Sequence, residues 1–333
     1  MTNNQDQFCY VPAVDVNHVA WGNFEKIEQV IASGVFYPVW ITGPSGNGKS
    51  TTVEQVCAKL NREFVRVNFT NETSEDDLMG GNHLVASIDA KGNSCTISEF
   101  KDGPIVHAIR NGAILLLDEV DAGHANRILC LQSVLEGRGV LIKSTGEFVK
   151  PRSGFNVIAT SNTQGRGDDA GRYIGTNVMN GAFLDRFSAM LHQAYPPQDI
   201  EKQILIKYFK SYVGSNKKWE ENFSKLSDAK KLANIKDEEK WIEKLCVWAD
   251  QIRQSFKTGV GDEVITTRSL INIIQAYVVF SDKPYSVKVA CDRFDTASSE
   301  GFQELYQKLN DENYVPEAPK KEVPEDKTYF EFN

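Results

Sequence analysis

The segment from 43 to 51 contains the residue types that can hold a polyphosphate group. It reads Gly43, Pro44, Ser45, Gly46, Asn47, Gly48, Lys49, Ser50 and Thr51. Glycines let backbone N–H groups converge on one anion, because they adopt unusual dihedral angles and carry no side chain that blocks the approach. Lys49 would reach the β- and γ-phosphates, and the Ser50 hydroxyl would ligate Mg²⁺. The spacing therefore predicts a binding loop for a nucleoside triphosphate.

An acidic pair, Asp118 and Glu119, follows the apolar run 113–117. A strand that ends there would place Asp118 at the carboxyl edge of a sheet, where a carboxylate can hold Mg²⁺ through water. Glu119 stands one residue further on, in position to orient or deprotonate an attacking water. The pair therefore predicts hydrolysis of the nucleotide as well as binding.

Three more polar residues complete the candidate site. Asn162 follows the apolar segment 155–159 and would arrive beside the phosphate loop, where it could position the water or contact the γ-phosphate. Arg186 lies just before the apolar segment 189–194. Arg268 follows a threonine cap at the start of a predicted helix, where a cation is electrostatically unfavourable, so a nearby anion would explain its placement.

A sheet is needed to position these residues, and five apolar segments have the character of its strands. They are 39–42, 64–69, 113–117, 155–159 and 189–194. Their hydrophobicity is continuous rather than alternating, which is typical of parallel strands buried on both faces. Helical or loop-rich stretches separate them, so residues 1–197 are predicted to form a three-layer α/β domain.

Helical periodicity replaces the strand pattern after Pro196 and Pro197. The predicted helices span 199–212, 238–256, 266–280 and 299–309. They indicate a small helical domain over 198–311. Proline, lysine and glutamate dominate from 312 to 333, which predicts a mobile tail.

Composition limits the classes of function. The chain has 333 residues, 41% of them hydrophobic, and a formal net charge of −8, which argues against a broadly basic nucleic-acid surface. Six scattered cysteines without a C-x-x-C pair indicate a reduced intracellular protein rather than a disulfide framework or a zinc site. The polar N-terminus and the lack of a long apolar run argue against a signal peptide and a membrane span.

Together these motifs resemble the AAA+ ATPases, from about Tyr10 to Ala290. The resemblance implies a P-loop core with the strand order 5-1-4-3-2, followed by a helical lid, and ATP with Mg²⁺ as the bound nucleotide. It also implies that Asn162 is the sensor-1 residue and Arg268 the sensor-2 arginine. Arg186 would be an arginine finger that reaches into a neighbouring subunit's site, which implies an oligomer, usually a six-membered ring.

Several loops narrow the resemblance. Residues 77–81 and 100–105 are similar to the MoxR group, in which an insertion, here at about 79–100, interrupts the second helix and projects toward the ring's pore. The CobS-like ATPase subunits of aerobic cobaltochelatase, including phage-encoded relatives, are similar at 10–15, 118–123, 165–176 and 266–272. Thr163 follows Asn162 where most MoxR relatives have proline, and the CobS-like proteins share that threonine.

The resemblance implies a cytoplasmic motor, in the host cytoplasm if the chain is phage-encoded, that remodels a protein client together with a von Willebrand A domain partner. One alternative is a MoxR-type chaperone that matures another metalloprotein or a viral complex. A second is an assembly module in which bound nucleotide stabilises the ring and hydrolysis is incidental. The presence of Glu119, the residue predicted to activate the attacking water, disfavours it. A third is a DNA-associated motor, which the negative net charge of the chain disfavours.

Overall fold

The computed structural model describes residues 8–88, 93–124, 127–165, 167, 175–217, 219 and 228–311. The strands in these ranges are β1 Val39–Thr42, β2 Phe64–Asn68, β3 Gly80–Ile88, β4 Ser94–Asp102, β5 Ile114–Asp118, β6 Val140–Ile142, β7 Glu147–Val149, β8 Asn156–Ser161 and β9 Ala189–His192. The α-helices are α1 Phe24–Ser33, α2 Lys49–Lys59, α3 Glu75–Met79, α4 Pro104–Asn111, α5 Gln132–Leu135, α6 Gly181–Leu184, α7 Gln198–Ser215, α8 Asp228–Lys257, α9 Thr267–Phe280, α10 Lys283–Cys291 and α11 Thr296–Asn310. The predicted tail, 312–333, and most of the 165–176 loop lie outside the described residues.

Five strands form a parallel sheet in the order β2-β5-β8-β1-β9. Numbered as the five apolar segments of the sequence, this is the order 5-1-4-3-2, so the expected fold class is confirmed. β1 has the expected bounds, and the ends of the other four strands differ from the expectation by at most two residues; β8, for example, continues to Ser161.

Both faces of this sheet are covered, since every residue of β1 and β5 is buried. Trp40, Leu115 and Leu117 pack into a hydrophobic cluster on one face. Ile41 and Leu116 pack into a second cluster on the other face. Successive side chains of a strand point to opposite faces, so a strand buried on both sides must be apolar throughout. This explains the continuous apolar runs in the sequence.

An antiparallel hairpin of β3 and β4 lies between α3 and α4, where the insertion is expected. Gly80 stands at its base with a φ of 107°, and a Cβ there would lie 2.1 Å from the carbonyl oxygen of Lys101. Only glycine fits so close an approach. Further along, the hairpin exposes apolar side chains, including Leu84 at 80% and Ile88 at 73%. A second antiparallel hairpin is formed by β6 and β7.

Helices α7 to α11 share a separate hydrophobic cluster that includes Trp248 and Ile273. Four of them correspond to the predicted helices, and α10 is an additional one. The Asp282 side chain accepts a hydrogen bond from the Tyr285 N–H at 2.9 Å, and Pro284 lies in the first turn of α10. Both are signals of a helix start that apolar spacing alone does not reveal. Among the described helices, none combines the length and apolarity that crossing a membrane requires.

A buried ion pair joins α7 to α8. The Glu201 carboxylate accepts hydrogen bonds from the Arg253 guanidinium at 2.8 and 2.9 Å, and their side chains are 0% and 4% exposed. Arg253 also donates from Nε to the Ile265 carbonyl at 2.8 Å. The Thr267 hydroxyl donates to Glu201 at 2.6 Å. The pair therefore holds the first turn of α9, which carries Arg268.

The Arg253→Met substitution should lower the free energy of unfolding by about 3–5 kcal/mol, because it leaves the Glu201 carboxylate buried without its partner. Denaturant unfolding checks this. The matched control is Lys202→Met, which removes an exposed pair with Glu243 at 2.7 Å. That change should cost less than about 1 kcal/mol. Equal losses in the two variants would contradict the structural role of the buried pair.

Candidate functional site

The glycine-rich loop joins β1 to α2, which is the strand, loop and helix order of a phosphate site. Gly48 precedes α2 with a φ of 86°, and apart from its own chain neighbours no atom of the described residues lies within 4 Å of the point where a Cβ would stand. An anion can therefore approach the backbone here, in front of the positive end of the helix. Lys49, Ser50 and Thr51 form the first turn of that helix.

The segment after β9 fixes the other side of the loop. The Asn47 side chain donates from Nδ2 to the carbonyl oxygens of Gln193 at 2.5 Å and of Ala194 at 3.1 Å. Gln193 donates back from Nε2 to the Asn47 carbonyl at 3.2 Å. A Cβ on Gly43 would lie 2.0 Å from the Gln193 carbonyl oxygen, so only glycine fits there. The Asn47 side chain thus shapes the loop.

Lys49 is 7% exposed, and its ammonium is held by oxygens of the loop. Its Nζ donates to the carbonyls of Gly43 and Pro44, both at 2.8 Å. It also donates to Oδ1 of Asn162 at 3.2 Å. Burial lowers the pKa of Lys49 to about 8, and the nearby Asp118 carboxylate opposes this shift. The structure thus brings Lys49 and Asn162 together.

Asp118 ends β5, is 4% exposed, and accepts hydrogen bonds on both carboxylate oxygens. Its Oδ1 accepts from the Ser50 hydroxyl at 2.6 Å and from the Thr160 hydroxyl. Its Oδ2 accepts from the Arg66 guanidinium. Hydroxyl and carboxylate oxygens are the hard ligands that Mg²⁺ prefers. The adjacent Ser50 and Asp118 therefore fit a magnesium ion that arrives with a nucleotide.

Glu119 follows with φ 56° and ψ 42°, a left-handed conformation that is uncommon for a residue other than glycine. Its backbone N–H donates to the Thr160 hydroxyl at 3.3 Å. The side chain is exposed and lines the same cavity as Lys49 and Asn162. Backbone strain of this kind clusters at functional sites, where surrounding structure maintains it.

Asp121 positions the segment that carries Asn162. This carboxylate is 1% exposed, and its Oδ2 accepts from the backbone N–H of Asn162 at 3.2 Å. It also accepts from the backbone N–H and the hydroxyl of Thr163, at 3.0 and 2.8 Å. A proline at 163 would lack both donors. The threonine that distinguishes this chain from the MoxR pattern therefore has a physical role.

Arg268 also reaches the site. It follows the N-cap residue Thr266, whose hydroxyl accepts from the Ser269 N–H at 3.0 Å. Its own N–H donates to the Gly46 carbonyl at 3.3 Å. A Cβ on Gly46 would lie 2.8 Å from Thr266, so the start of α9 packs directly on the phosphate loop. The exposed Arg268 side chain lines the cavity there.

Arg186 lies apart from these residues within its own chain. Its Nε donates to Oε1 of Glu136 at 3.0 Å, and its Nη1 donates to the Ala182 carbonyl. It does not line either of the cavities at the phosphate loop. Its contact with a neighbouring subunit stays a prediction.

Two cavities meet at the loop. The polar cavity, of about 120 Å³, is lined by residues 45–51, Arg66, Asp118, Glu119, 160–162 and Arg268. The base cavity, of about 310 Å³, is lined by residues 17–19, Trp21, 46–48, Thr51, Pro196, Ile204, Tyr208, Tyr212, 267–268 and Ile271. A charged cavity beside an aromatic one matches the two ends of a nucleotide.

His18 marks the base cavity. Its Nε2 is buried and has no hydrogen-bond partner within the described part of the chain. Burial lowers the pKa of His18, so the imidazole is neutral at pH 7. The imidazole belongs to the aromatic wall of this cavity, against which the ring of a base can pack. Sequence reasoning alone does not identify this residue, because a single histidine in an N-terminal segment carries no spacing signal.

The comparisons with known proteins agree with this geometry. Residues 38–187 match the family model described as "AAA domain (dynein-related subfamily)". The "Aerobic cobaltochelatase subunit CobS" of Sinorhizobium sp is 31% identical over 264 residues, which cover 78% of this chain and 72% of that protein. The chain belongs to the AAA+ ATPases and is a relative of CobS.

Other relatives are more distant. An uncharacterised Staphylococcus saprophyticus protein is 27% identical to this AAA+ ATPase over 71% of the chain and 76% of its own length. The crystal structure of NtrX from Brucella abortus has a TM-score of 0.46 and 17% identity, and the match covers 80% of this chain and 52% of NtrX.

The affinity of this ATPase for ATP should fall as the pH rises from about 7 to about 9. The Lys49 ammonium of the free protein loses its proton near pH 8, whereas bound phosphates favour the protonated form. Above that pH the affinity should decrease by up to about tenfold per unit. Calorimetric titration with ATP at several pH values measures this affinity. In the Lys49→Arg variant the guanidinium keeps its charge, so the affinity, whatever its level, should not vary with pH. Equal slopes in both proteins would contradict this assignment.

Proposed function

We propose that this chain is the motor subunit of a CobS-like complex, a ring-forming ATPase that converts ATP hydrolysis into movement of its lid and insertion. One observation carries the proposal. The polar cavity brings together the side chains that nucleotide hydrolysis needs. They are the loop lysine Lys49, the hydroxyl and carboxylate that fit Mg²⁺ (Ser50 and Asp118), the exposed carboxylate Glu119, the amide Asn162, and Arg268 from the helical region. Binding, activation of water and stabilisation of phosphate charge all require these groups in one place.

In this mechanism the loop N–H groups and Lys49 bind the phosphates. Ser50 and Asp118 would hold Mg²⁺, which when bound neutralises charge on the phosphate oxygens. Glu119 would accept a proton from the attacking water, and Asn162 would orient that water. The position of each side chain at the cavity supports the role proposed for it.

We further propose the following domain organisation. Residues 1–197 would be the ATPase core with an insertion at about 79–100, residues 198–311 the lid, and residues 312–333 a tail. The contact of α9 with the Gly46 carbonyl supports a lid that presents Arg268 to the phosphates. Arg186 would complete the site of a neighbouring subunit, where it stabilises charge on the transferred phosphoryl group.

A protein is the proposed client. The β3-β4 hairpin exposes Leu84, Ile88 and Ile97, and exposed apolar groups of this kind are typical of surfaces that contact proteins. The likeness to the Sinorhizobium cobaltochelatase subunit supports a role in a cobalt chelatase. A hexameric ring and a von Willebrand A domain partner are part of the same proposal. The hairpin equally suits the second candidate, a MoxR-type chaperone for another metalloprotein or a viral complex.

The Glu119→Gln variant should bind ATP as tightly as the wild type, because the substitution keeps the size of the side chain. Its steady-state hydrolysis should fall by about a hundredfold or more, since the general base is lost. Phosphate release and ATP titration measure the two properties. The control is Glu75→Gln, which removes an exposed pair with Lys143 at 2.7 Å and should leave turnover unchanged. Unaltered hydrolysis in Glu119→Gln would disprove the motor proposal.

The Arg186→Ala variant should bind ATP and lose most turnover. Mixing it with Lys49→Ala protein should restore part of the activity, because some interfaces then join an intact Lys49 to an intact Arg186 of the neighbour. ATPase activity across mixing ratios measures this. Glu136→Ala, which removes the partner of Arg186 within its own chain, controls for loss of that ion pair. Absence of rescue in the mixtures would contradict the role of Arg186 between subunits.

A further inference from the structure

Arg66 is a cation in the polar cavity that the motifs leave without a role. It is the third residue of β2, a strand that pairs with β5, and Asn68 lies opposite Asp118 in the register. Residues two apart on a strand share a face, so the Arg66 and Asn68 side chains lie on the same side of the sheet. The Arg66 Nε donates to Oδ1 of Asn68 at 3.1 Å, and Nη2 donates to Oδ2 of Asp118.

The two members of the Arg66–Asp118 pair are buried to different degrees. The Asp118 side chain is 5% exposed, whereas that of Arg66 is 42% exposed and lines the cavity wall. A buried carboxylate without a counter-charge is costly, so Asp118 requires a cation in every state of the site. Arg66 can turn into the cavity at little cost because much of it already faces solvent.

Asp118 is also the carboxylate that, with Ser50, fits Mg²⁺. The Ser50 and Thr160 hydroxyls contact Oδ1, and the Arg66 guanidinium occupies Oδ2. A divalent ion and a guanidinium at one carboxylate repel each other and compete for it. The two contacts described for Arg66 use two of its five N–H donors, and a guanidinium recognises phosphate as readily as carboxylate.

We propose that Arg66 is the resident counter-cation of Asp118 in the nucleotide-free protein, that Mg²⁺ displaces it when Mg·ATP binds, and that the displaced guanidinium pairs with the nucleotide phosphates. Arg66 is then a positioning residue that exchanges one anion for another. Asn68, which holds its Nε, keeps the side chain at the cavity during the exchange. This inference rests on the proposed ATP and Mg²⁺ site.

The test uses the full chain and the non-hydrolysable analogue AMP-PNP, whose affinity is measured by calorimetry in EDTA and across a Mg²⁺ titration. Removing the arginine leaves Asp118 uncompensated beside the phosphates, so Arg66→Ala should bind AMP-PNP roughly fivefold more weakly in EDTA. It also removes the competitor, so the half-saturating Mg²⁺ concentration should fall. The ratio of the affinities with and without Mg²⁺ should rise at least about fivefold.

Arg110→Ala is the matched control. Arg110 is 37% exposed and pairs with the carboxylates of Asp102 and Glu147, outside the cavity, so its loss should leave the ratio unchanged. Arg66→Lys keeps the charge and should recover most of the affinity in EDTA. Melting temperatures of all variants establish that they are folded. If Arg66→Ala is not folded, Arg66→Gln, which removes the charge but keeps a polar side chain, is used in its place.

The outcomes separate the two proposals. A ratio that stays constant or falls in Arg66→Ala, while the wild type binds AMP-PNP in a Mg²⁺-dependent way, would overturn the role of Arg66 alone. An equal loss of affinity with and without Mg²⁺ would also overturn this role, since it would indicate that Arg66 only supports the structure of the site. A wild-type protein that binds no nucleotide under either condition would overturn both proposals.

Discussion

Parallel pairing of β1, β5 and β8 is the constraint on which the site depends. The carboxyl ends of parallel strands meet at one edge of a sheet, so the phosphate loop, the Asp118–Glu119 pair and the segment with Asn162 must arrive side by side. No long-range recognition between these polar residues is needed to gather them. The apolar runs that bury the sheet on both faces are therefore also what assembles the charged cavity.

Groups outside the cavity then fix the orientation of each member. Gln193 holds the phosphate loop through Asn47, and Asp121 holds the segment of Asn162. The buried pair of Glu201 and Arg253 holds the start of α9. These supporting side chains are buried. Asn47, Asp121, Glu201 and Arg253 each make more than one hydrogen bond, as is typical of buried polar groups. The backbone segments that carry the ligand-facing side chains are consequently fixed before a ligand arrives, and such preorganisation favours electrostatic stabilisation.

Much of this site could be predicted because its signals are local. The glycine spacing of 43–48 and the apolar run before Asp118 each lie within ten residues of the group they position. The order of the strands came from a family resemblance instead, since the runs themselves do not specify neighbours. The roles of Arg66 and Asp121 could not be read from the sequence, because their partners lie 52 and 41 residues away. Helix α10 was hidden for a different reason, as its start depends on Asp282 and Pro284 rather than on an apolar period.

The base cavity lies where the sheet and the helices α7 to α11 meet. The sheet and the helices α7 to α11 each have a hydrophobic cluster of their own. Between them, the cavity is walled by His18 and Thr51 on one side and by Tyr208 and Ile271 on the other. A bound base would act as an interior side chain shared by two cores. Binding of the base and packing of the sheet against the helices would then be thermodynamically linked. Each exchange of nucleotide would also weaken or strengthen the contact between these two parts of the molecule.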